Sequence, residues 1–494
     1  MTIEQQAATT ERTERPNERM AVLATSTAFF MIVLDTSIVN LALPSIGAEL
    51  GSPLTGLQWI VDGYALVFAC LLLSAGSLAD RHGAKRVFLA GIALFTFSSA
   101  LCCVAPATMT LQAARVLQGI GAAFLLPTSL ALLNHAVDEP RRKQAISTWA
   151  GAGALGIALG PLLGGLLIDA FGWRSIFAVN LPIGVAGFWL TLRHLPESPR
   201  SGIRSLDPVG QAFAITALGA LTYALISAGH LGPTEPEPLI GAGVFLASTA
   251  GFLLAESVVE QPMLPLGFFG RPAFASTAVV GLLHNFGIYG MIFVLSIAFH
   301  RLLGVDPLRT GLMFLPLTGG LALGTRLGSR MLRSWRPQWS LAAGHFMAAI
   351  GAFALAVFGM SAQEILLAAP LLAIGLGAGT TTPAMNVAIL DSVDRSQAGL
   401  ASGLLNGARQ CGGVIGVAVL GALLGEPATF VGARSAFLVA AGALALAGVV
   451  AISASQRIGR ASPALKPSTI RERWALVRGR AEIDRTPDMV EPHR

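Results

Sequence analysis

Three charged residues, Asp35, Asp62 and Arg115, lie inside long apolar stretches of the chain. A charge at the depth of a bilayer is costly unless it has a partner or a function. At about 1.5 Å of rise per helical residue, Asp35 lies roughly 22 Å into its stretch, and Asp62 and Arg115 lie roughly 12 Å and 9 Å into theirs. The first stretch runs opposite to the other two, so all three residues reach a similar layer of a hydrocarbon core about 30 Å thick. We therefore expect the three side chains to form one cluster.

An aspartate beside an arginine in such a layer can carry protons. The guanidinium stabilises the ionised carboxylate, whereas desolvation favours the protonated one. This balance would let one aspartate load and release a proton as a cavity opens to either side of a membrane. The alternative is that Asp35 is a solvated helix-end residue and that Asp62 simply faces water.

A second group of polar residues lies in the C-terminal part of the chain. Arg409-Gln410 is near the middle of an apolar stretch and has no acidic residue nearby in sequence. It could bind an anionic substrate group or pair with a backbone carbonyl for a structural purpose, and both interpretations stay open. His284-Asn285 is interpreted as an internally satisfied polar pair rather than as a ligand site. The polar residues expected along a central cavity are Asn40, Tyr64, Gln118, Asn285, Asn386, Arg409 and Gln410.

Several classes of function are excluded by what the chain lacks. The histidines are scattered, and the four cysteines fall in apolar segments without metal-ligand spacing, so neither a metal site nor a catalytic residue is predicted. No phosphate loop ending in Gly-Lys-Ser/Thr occurs, which argues against an ATP-driven pump. The net charge of +6 is spread in short clusters rather than over one basic face, which argues against nucleic-acid binding.

The elements that must position these residues are membrane-spanning helices. The chain of 494 residues is 53% hydrophobic and only 12% charged, about half the charge of a soluble domain. A span needs about 20 mostly apolar residues, and about fourteen such stretches occur. They are approximately 20–43, 54–79, 86–105, 109–133, 144–168, 174–194, 208–228, 238–257, 273–299, 308–331, 339–359, 363–390, 398–423 and 432–454.

The distribution of basic residues sets the orientation. With the N-terminus inside, roughly 27 of the 33 lysines and arginines lie on the cytoplasmic side. An even number of spans then places both termini in the cytoplasm. The first 19 residues are polar, and the stretch after them is too long for a signal-peptide core, so we interpret it as an uncleaved first span.

A short pattern occurs twice. Gly119-Ile-Gly-Ala with a following Pro127 recurs as Gly375-Leu-Gly-Ala with Pro383. A similar sequence occurs in two connectors, at 142–145 and at 395–398. The glycine pattern repeats after about 256 residues and the connector sequence after about 253 residues. The repeat maps spans one to six onto spans nine to fourteen in parallel orientation. Parallel six-span halves around a central cavity are typical of transporters that bind substrate near the midplane. The predicted organisation is a cytoplasmic tail (1–19), a six-helix half (20–194), a linker with two inserted helices (195–260), a second six-helix half (261–454) and a basic cytoplasmic tail (455–494).

Five motifs in order carry a resemblance to a known family. They are 34–44 (LDTSIVNLALP), 59–66 (WIVDGYAL), 76–86 (GSLADRHGAKR), 115–119 (RVLQG) and 156–165 (GIALGPLLGG). The chain resembles the fourteen-span drug:proton antiporter branch of the major facilitator superfamily. The resemblance covers most of the chain and implies the major facilitator fold, all-α, with about fourteen spans.

The resemblance also implies roles for the motif residues. Asp35 and Arg115 would be the proton-coupling pair, with Asp62 as a further proton or cation site. The cytoplasmic loop would act as a gate, with Asp80 placed at a helix N-terminus, where a carboxylate is favoured. The gating-loop residues are Gly76, Asp80, Arg81, Gly83, Lys85 and Arg86. The glycine motif of antiporters is Gly156, Gly160, Pro161, Gly164 and Gly165, which would form either a hinge or seal, or a generic close-packed face.

The expected function is therefore proton-coupled export of amphipathic, drug-like molecules across the cytoplasmic membrane. Alternatives are a dedicated exporter of one metabolite or antibiotic and, less favoured, a proton-coupled importer. The family's acidic residue in the tenth span is absent, because 310–329 contains no Asp or Glu. We expect a small-molecule substrate, protons and the lipid bilayer as partners, a monomer, and no cofactor beyond the proton gradient.

Overall fold

The computed structural model describes residues 18–197, 207–259, 264–358, 364–394 and 397–461. Within these ranges the chain is helical with short connections, and no strand occurs. The helices are α1 (Glu18–Leu50), α2 (Leu54–His82), α3 (Ala84–Cys103), α4 (Thr108–Ala136), α5 (Glu139–Phe171), α6 (Ser175–Ala178 and Asn180–His194), α7 (Pro208–Leu231), α8 (Pro236–Val258), α9 (Pro272–Arg301), α10 (Pro307–Met313 and Leu315–Met331), α11 (Pro337–Phe358), α12 (Glu364–Asp391), α13 (Ala398–Leu424) and α14 (Phe430–Ala461). The prediction of an all-α chain with about fourteen spans is confirmed.

Thirteen of these helices are long and apolar enough to cross a membrane, counted over the described part of the chain. The exception is α10, which is interrupted at Phe314. Pro316 follows the interruption, and a proline cannot donate the backbone hydrogen bond that would continue a helix through it. The longer piece of α10 has 17 residues and carries Arg326 and Arg330, so it falls short as a single uninterrupted span.

The helices pack in two equivalent sets of six. In the first set, α1 packs against α4, α5 and α6, α3 packs against α4 and α6, and α2 packs against α4. Each contact recurs between the helices eight places later, from α9 with α12, α13 and α14 to α10 with α12. This correspondence is what the internal repeat predicts. The predicted segment boundaries stay predictions, as does the cytoplasmic location of the termini. Three predicted segments lie outside the described residues: the tails at 1–17 and 462–494 and the connector at 198–206. The last helix continues to Ala461, beyond the predicted end at 454.

The two sets meet along α1 with α9, α2 with α13, and α5 with α10. The inserted helix α7 packs on α2 and α13, and α8 packs on α7. Gln211 in α7 donates to the Cys70 carbonyl at 3.1 Å and accepts a hydrogen bond from Ser74. The two inserted helices therefore lie on the periphery of the bundle, against the seam between α2 and α13.

Glycines let the helices of each set approach closely. A Cβ atom at Gly119 in α4 would lie 2.5 Å from the Tyr64 carbonyl oxygen in α2. The repeat-related Gly375 in α12 would place a Cβ atom 2.0 Å from the Leu317 carbonyl oxygen in α10. Real Cβ contacts are not that short, so these positions require glycine. The repeated sequence pattern thus marks one packing contact made twice.

Candidate functional site

A cavity of about 1440 Å³ lies between the two sets of helices. Residues from α1, α2, α4 and α5 line one wall, and residues from α9, α10, α12 and α13 line the other. Six of the seven predicted cavity residues border it: Asn40, Tyr64, Asn285, Asn386, Arg409 and Gln410. Gln118 is not among the lining residues, so its prediction as a cavity residue is wrong.

The cavity extends to one end of the helix bundle. Its lining includes Asp80 in the last turn of α2, Asn134 near the end of α4 and Ala398 at the start of α13. These helix ends lie on the side that the basic residues predict to be cytoplasmic. The conformation is therefore open towards the predicted inner side.

At the opposite end, polar contacts close the seam between the two sets. Gln58 in α2 donates to the carbonyl oxygens of Val417 and Ala418 in α13, both at 3.0 Å. The Leu54 backbone N–H donates to the Glu426 carboxylate at 2.7 Å. These contacts join the N-terminal end of α2 to the C-terminal end of α13, and sequence reasoning did not identify them.

The other closed seam is a contact between α5 and α10. A Cβ atom at Gly165 would lie 2.9 Å from Leu308 Cα, and one at Gly311 would lie 2.3 Å from the Pro161 carbonyl oxygen. Both obstructing atoms belong to backbone, so neither can move aside alone. Gly165 therefore permits the two halves to close against each other at the outer end.

The predicted pair of Asp35 and Arg115 is formed. Arg115 Nη1 donates to Asp35 Oδ2 at 2.6 Å, and the side chains are only 2% and 0% exposed. Asp35 comes from α1 and Arg115 from α4. A buried ion pair is tolerated only when further hydrogen bonds satisfy both groups.

Those further hydrogen bonds come from three helices. Gln118 Nε2 and Asn180 Nδ2 each donate to Asp35 Oδ1 at 2.9 Å. Gln118 also donates to Ser99 Oγ at 2.9 Å, which ties α3 to the group. Gln118 thus lies in the ion-pair network and not in the cavity wall, because it is one helical turn beyond Arg115 on the face of α4 that meets α1 and α3.

Asn180 and Ser99 were missed by sequence reasoning. Each is a single polar residue in an apolar span, which is a weak signal. A search for uncharged polar residues at the depth of Asp35 would have found both.

Arg115 is also held on the side of α2. Its Nε donates to the Ile60 carbonyl oxygen at 3.3 Å, and its guanidinium carbon lies 4.2 Å from the centre of the Tyr64 ring. Arg115 and Tyr64 border the cavity, whereas Asp35 does not. The arginine therefore lies between the carboxylate and the cavity.

Asp62 does not join this cluster. It is fully buried and borders the cavity, but both its carboxylate oxygens lack a hydrogen-bond partner among the described residues. One turn before it Gln58 bonds to α13, and one turn after it Leu66 packs in a group that includes residues of α13. The depth argument set the layer correctly but could not set the rotation of α2, which turns Asp62 towards α13. The expectation of one three-residue cluster is thus wrong for Asp62.

The predicted gating loop spans the end of α2 and the start of α3. Gly83 has φ of 92° and lets the chain turn between the two helices. Lys85 Nζ donates to the carbonyl oxygens of Leu192 at 3.2 Å and Leu195 at 2.6 Å, which anchors the loop to the end of α6. Gly76 borders the cavity, and Arg81 and Arg86 are exposed.

Asp80 is not placed as expected. It lies in the last turn of α2 and borders the cavity, and no contact with a helix N-terminus is found among the described residues. The cavity opens at this end of the helix bundle, and Asp80 borders that open space. The gating role of the loop stays a prediction.

The glycine motif of α5 faces α1. A Cβ atom at Gly156 would lie 3.1 Å from the Phe30 carbonyl oxygen, and one at Gly164 would lie 2.6 Å from Ile38. At Gly160 a Cβ atom would overlap the Ser37 hydroxyl. Three glycines of the motif therefore bring two helices of one half into close contact, whereas Pro161 and Gly165 meet α10 of the other half. The role of the motif as a hinge or seal stays a prediction.

The second half contains a buried pair of histidines. His284 Nδ1 in α9 lies 3.3 Å from His345 Nε2 in α11 and 3.3 Å from Thr381 Oγ1 in α12. His345 Nδ1 lies 2.7 Å from the Leu341 carbonyl oxygen, which can only accept, so this nitrogen carries the hydrogen. The expected interpretation of His284 as an internally satisfied residue fits this geometry.

The halves therefore place polar groups differently. The close contacts made by glycines align the two halves, with Gly91 equivalent to Gly344 and Gly156 equivalent to Gly412. In this alignment, His284, His345 and Thr381 of the second half lie at positions where the first half has apolar residues. Those residues are Ile32, Ile92 and Leu125, all buried. Conversely, the places of Asp35, Ser99, Arg115 and Gln118 are taken in the second half by Gly287, Ala352, Leu371 and Ile374.

The chain is similar in sequence to a family model and to proteins of known function. Residues 25–417 match the family model described as Major Facilitator Superfamily. The chain is 36% identical over 404 residues to the Methylenomycin A resistance protein of Streptomyces coelicolor, covering 82% of this chain and 85% of that protein. It is 37% identical over 421 residues to the Drug efflux pump JefA of Mycobacterium tuberculosis, covering 83% and 81%.

Solved structures are similar in fold. A peptide transporter, POT, superposes with a TM-score of 0.68 at 16% identity, over 93% of this chain and 99% of that one. A bacterial homologue of the human lysosomal transporter Spinster, in an inward-facing and unoccupied conformation, superposes with a TM-score of 0.64 at 18% identity, over 91% and 100%.

Proposed function

The chain belongs to the major facilitator superfamily, and on that premise we propose that it exports amphipathic, drug-like molecules in exchange for protons. Membership makes it a multi-pass transporter of the cell membrane and not an enzyme. Its relatives support efflux as the direction of transport. The proposal adds the proton coupling and the class of substrate, and it requires no cofactor and no second copy of the chain.

The buried pair of Asp35 and Arg115 is the observation that carries the proposal. Protonating Asp35 removes its charge and leaves the Arg115 guanidinium without a counter-ion at a depth where charge is costly. Because Asp35 accepts hydrogen bonds from α4 and α6, a change in its charge alters the packing of three helices at once. Such a change can be transmitted to the seams that open and close the cavity.

Asp62 supports the same proposal from the cavity side. Its carboxylate has no hydrogen-bond partner among the described residues and borders the cavity, so it is available to a proton or to a cationic group. It also lies one turn from Gln58, which holds the outer seam closed. A charge change at Asp62 is therefore close to a contact that must break when the outer side opens.

A second candidate is a dedicated exporter of one antibiotic. The name of the Streptomyces coelicolor relative, which refers to a single antibiotic, favours it. Both candidates use the same cavity and the same coupling pair, and they differ in the breadth of the substrates accepted.

The test uses everted membrane vesicles from cells that express the protein. The vesicles are energised to hold a pH gradient, and a panel of lipophilic compounds is added one by one. We expect at least one compound to collapse the gradient in wild-type vesicles and not in Asp35→Asn vesicles of equal protein content. A gradient that no compound disturbs would contradict proton antiport of drug-like molecules. A response retained in Asp35→Asn would transfer the coupling to Asp62.

A further inference from the structure

One arginine of the cavity wall has no acidic partner. Among the described residues that line the cavity, the charged ones are Asp62, Asp80, Arg115, Asp207 and Arg409. Arg115 is paired with Asp35. Arg409 in α13 forms no ion pair within the described ranges, and its one hydrogen bond there runs from Nε to Asn285 Oδ1 at 3.4 Å.

The surrounding helix is shaped to hold this arginine. A Cβ atom at Gly281 in α9 would lie 3.0 Å from Arg409 Cγ, so the arginine stem lies directly on the glycine. One turn further along α9, Asn285 binds Nε. Since Nε is the nitrogen nearest the stem, both terminal nitrogens of the guanidinium remain for another ligand.

A tyrosine and a glutamine also lie close to Arg409 in the cavity wall. Tyr289 lies one turn beyond Asn285, and its ring lies over Gly413, whose Cβ position is 3.7 Å from the ring. Tyr289, Gln410 and Gly413 all border the cavity together with Arg409. An arginine, a tyrosine and a glutamine thus border the same space.

Apolar side chains line much of the same cavity. Ile288, Ile292, Phe314, Leu317 and Val417 border the same cavity. A ligand bound at Arg409 can therefore place an apolar body against these side chains while an anionic group meets the guanidinium.

We propose that Arg409, positioned by Gly281 and Asn285, binds the carboxylate or sulfonate of amphipathic monoanions, which form one substrate class of this transporter. This inference rests on the proposed function and narrows its substrates. An unpaired guanidinium at membrane depth is unfavourable, and an oxyanion supplies its missing partner through two parallel hydrogen bonds. The first half offers no equivalent subsite, because its buried arginine is already paired with Asp35.

The test measures binding in the absence of any gradient. The full-length protein is placed in nanodiscs of zwitterionic lipid and titrated with 1-anilinonaphthalene-8-sulfonate and with neutral N-phenyl-1-naphthylamine, which share one skeleton and differ by the sulfonate. Empty nanodiscs give the background fluorescence. We expect Arg409→Gln to weaken binding of the sulfonate about tenfold or more and to leave the neutral compound unchanged.

Two further variants complete the design. Arg409→Lys keeps the charge but cannot form the two parallel hydrogen bonds, so it should retain only part of the sulfonate affinity. The matched control is Arg434→Gln, which removes an exposed arginine of α14. If Arg409→Gln does not fold, Asn285→Leu tests the same subsite by releasing the guanidinium, with the same loss of selectivity for the sulfonate.

The other outcomes overturn the inference. Equal sulfonate affinity in wild type and Arg409→Gln would do so, as would an equal loss of both compounds or the same loss in Arg434→Gln. A sulfonate signal abolished by adding phosphatidylglycerol to the nanodiscs would assign Arg409 to a lipid headgroup instead. The two proposals can fail separately. If Arg409 binds the sulfonate selectively in nanodiscs but no compound collapses the gradient in vesicles, the anion subsite is supported and only proton antiport is contradicted.

Discussion

Asp35 and Arg115 form an ion pair of 2.6 Å across 80 residues of sequence, between the first and fourth helices. Asn180 of α6 completes the pair by donating to the second carboxylate oxygen. The charge of one aspartate thus affects three helices of the first half, while the corresponding place in the second half is apolar. Proton coupling in the proposed cycle is therefore assigned to one half, and the second half is left for substrate.

We expect substitutions of the two partners of the ion pair to differ in their effect on the stability of the protein. Asp35→Asn keeps an oxygen that can accept from Gln118 and Asn180. The Arg115 guanidinium that it leaves without a counter-ion still bonds to the Ile60 carbonyl oxygen and borders the cavity, so we expect the smaller loss of stability from this variant. Arg115→Gln leaves a buried carboxylate without its counter-ion, and we expect a loss of about 3–5 kcal/mol in the free energy of unfolding. Unfolding of the purified variants in mixed micelles measures both. The double variant should recover part of the loss, and a double variant as unstable as the sum of the singles would show that the pair is not coupled.

Asp62 predicts a separation of stability from function. Because its carboxylate has no hydrogen-bond partner among the described residues, Asp62→Asn should change the free energy of unfolding by no more than about 1 kcal/mol. Substrate-driven proton movement in vesicles should nevertheless fall. Unchanged transport together with unchanged stability would remove Asp62 from the mechanism.

The glycine contact between the halves predicts a conformational effect. Gly165→Leu places atoms against the Pro307–Leu308 backbone and should prevent closure of the outer seam. A cysteine introduced at Ile292, which borders the cavity, in a background without native cysteines should then react faster with an impermeant maleimide added from outside. The control is Gly151→Leu on the same helix, where a Cβ atom meets nothing within 4 Å. Equal labelling in both variants would contradict a role for Gly165 in the seal.

The histidine pair predicts a non-additive result. His284→Ile and His345→Ile each leave the other histidine without its partner, and each should cost about 1–3 kcal/mol in the free energy of unfolding. The double change His284→Ile with His345→Ile installs the residue types found at the equivalent Ile32 and Ile92 and should cost less than the two single changes combined. Thermal unfolding of the four proteins provides the comparison, and strict additivity would show that the two rings do not depend on each other.

Much of the site could be predicted from local sequence. The depth of Asp35 and Arg115 within their spans follows from helical rise, so their common layer was evident. The glycines of α5 recur every four residues and were expected to share a face, and they do face α1. The repeat of Gly119 and Gly375 was visible as a pattern, and the structure shows that both positions make the same close contact.

Asp62, Gln118 and Asp80 show where such prediction ends. Depth does not determine the rotation of a helix about its axis, so Asp62 was placed beside Arg115 although it faces α13. Gln118 was assigned to the cavity because it is polar, but it bonds to Asp35 and Ser99. The surroundings of Asp80 depend on which side of the transporter is open, and that is a property of the conformation.

The sequence by itself determined the class of the molecule. Apolar length, basic-residue bias and a duplicated motif are local or additive properties, and they predict membrane helices, their orientation and a two-half architecture. Only the tertiary structure decided which side chains meet. The partners of Asp35, the isolation of Asp62, the pairing of His284 with His345 and the unpaired Arg409 all depend on how helices rotate and pack against distant neighbours, and small residues at helix contacts, not hydropathy, set that packing.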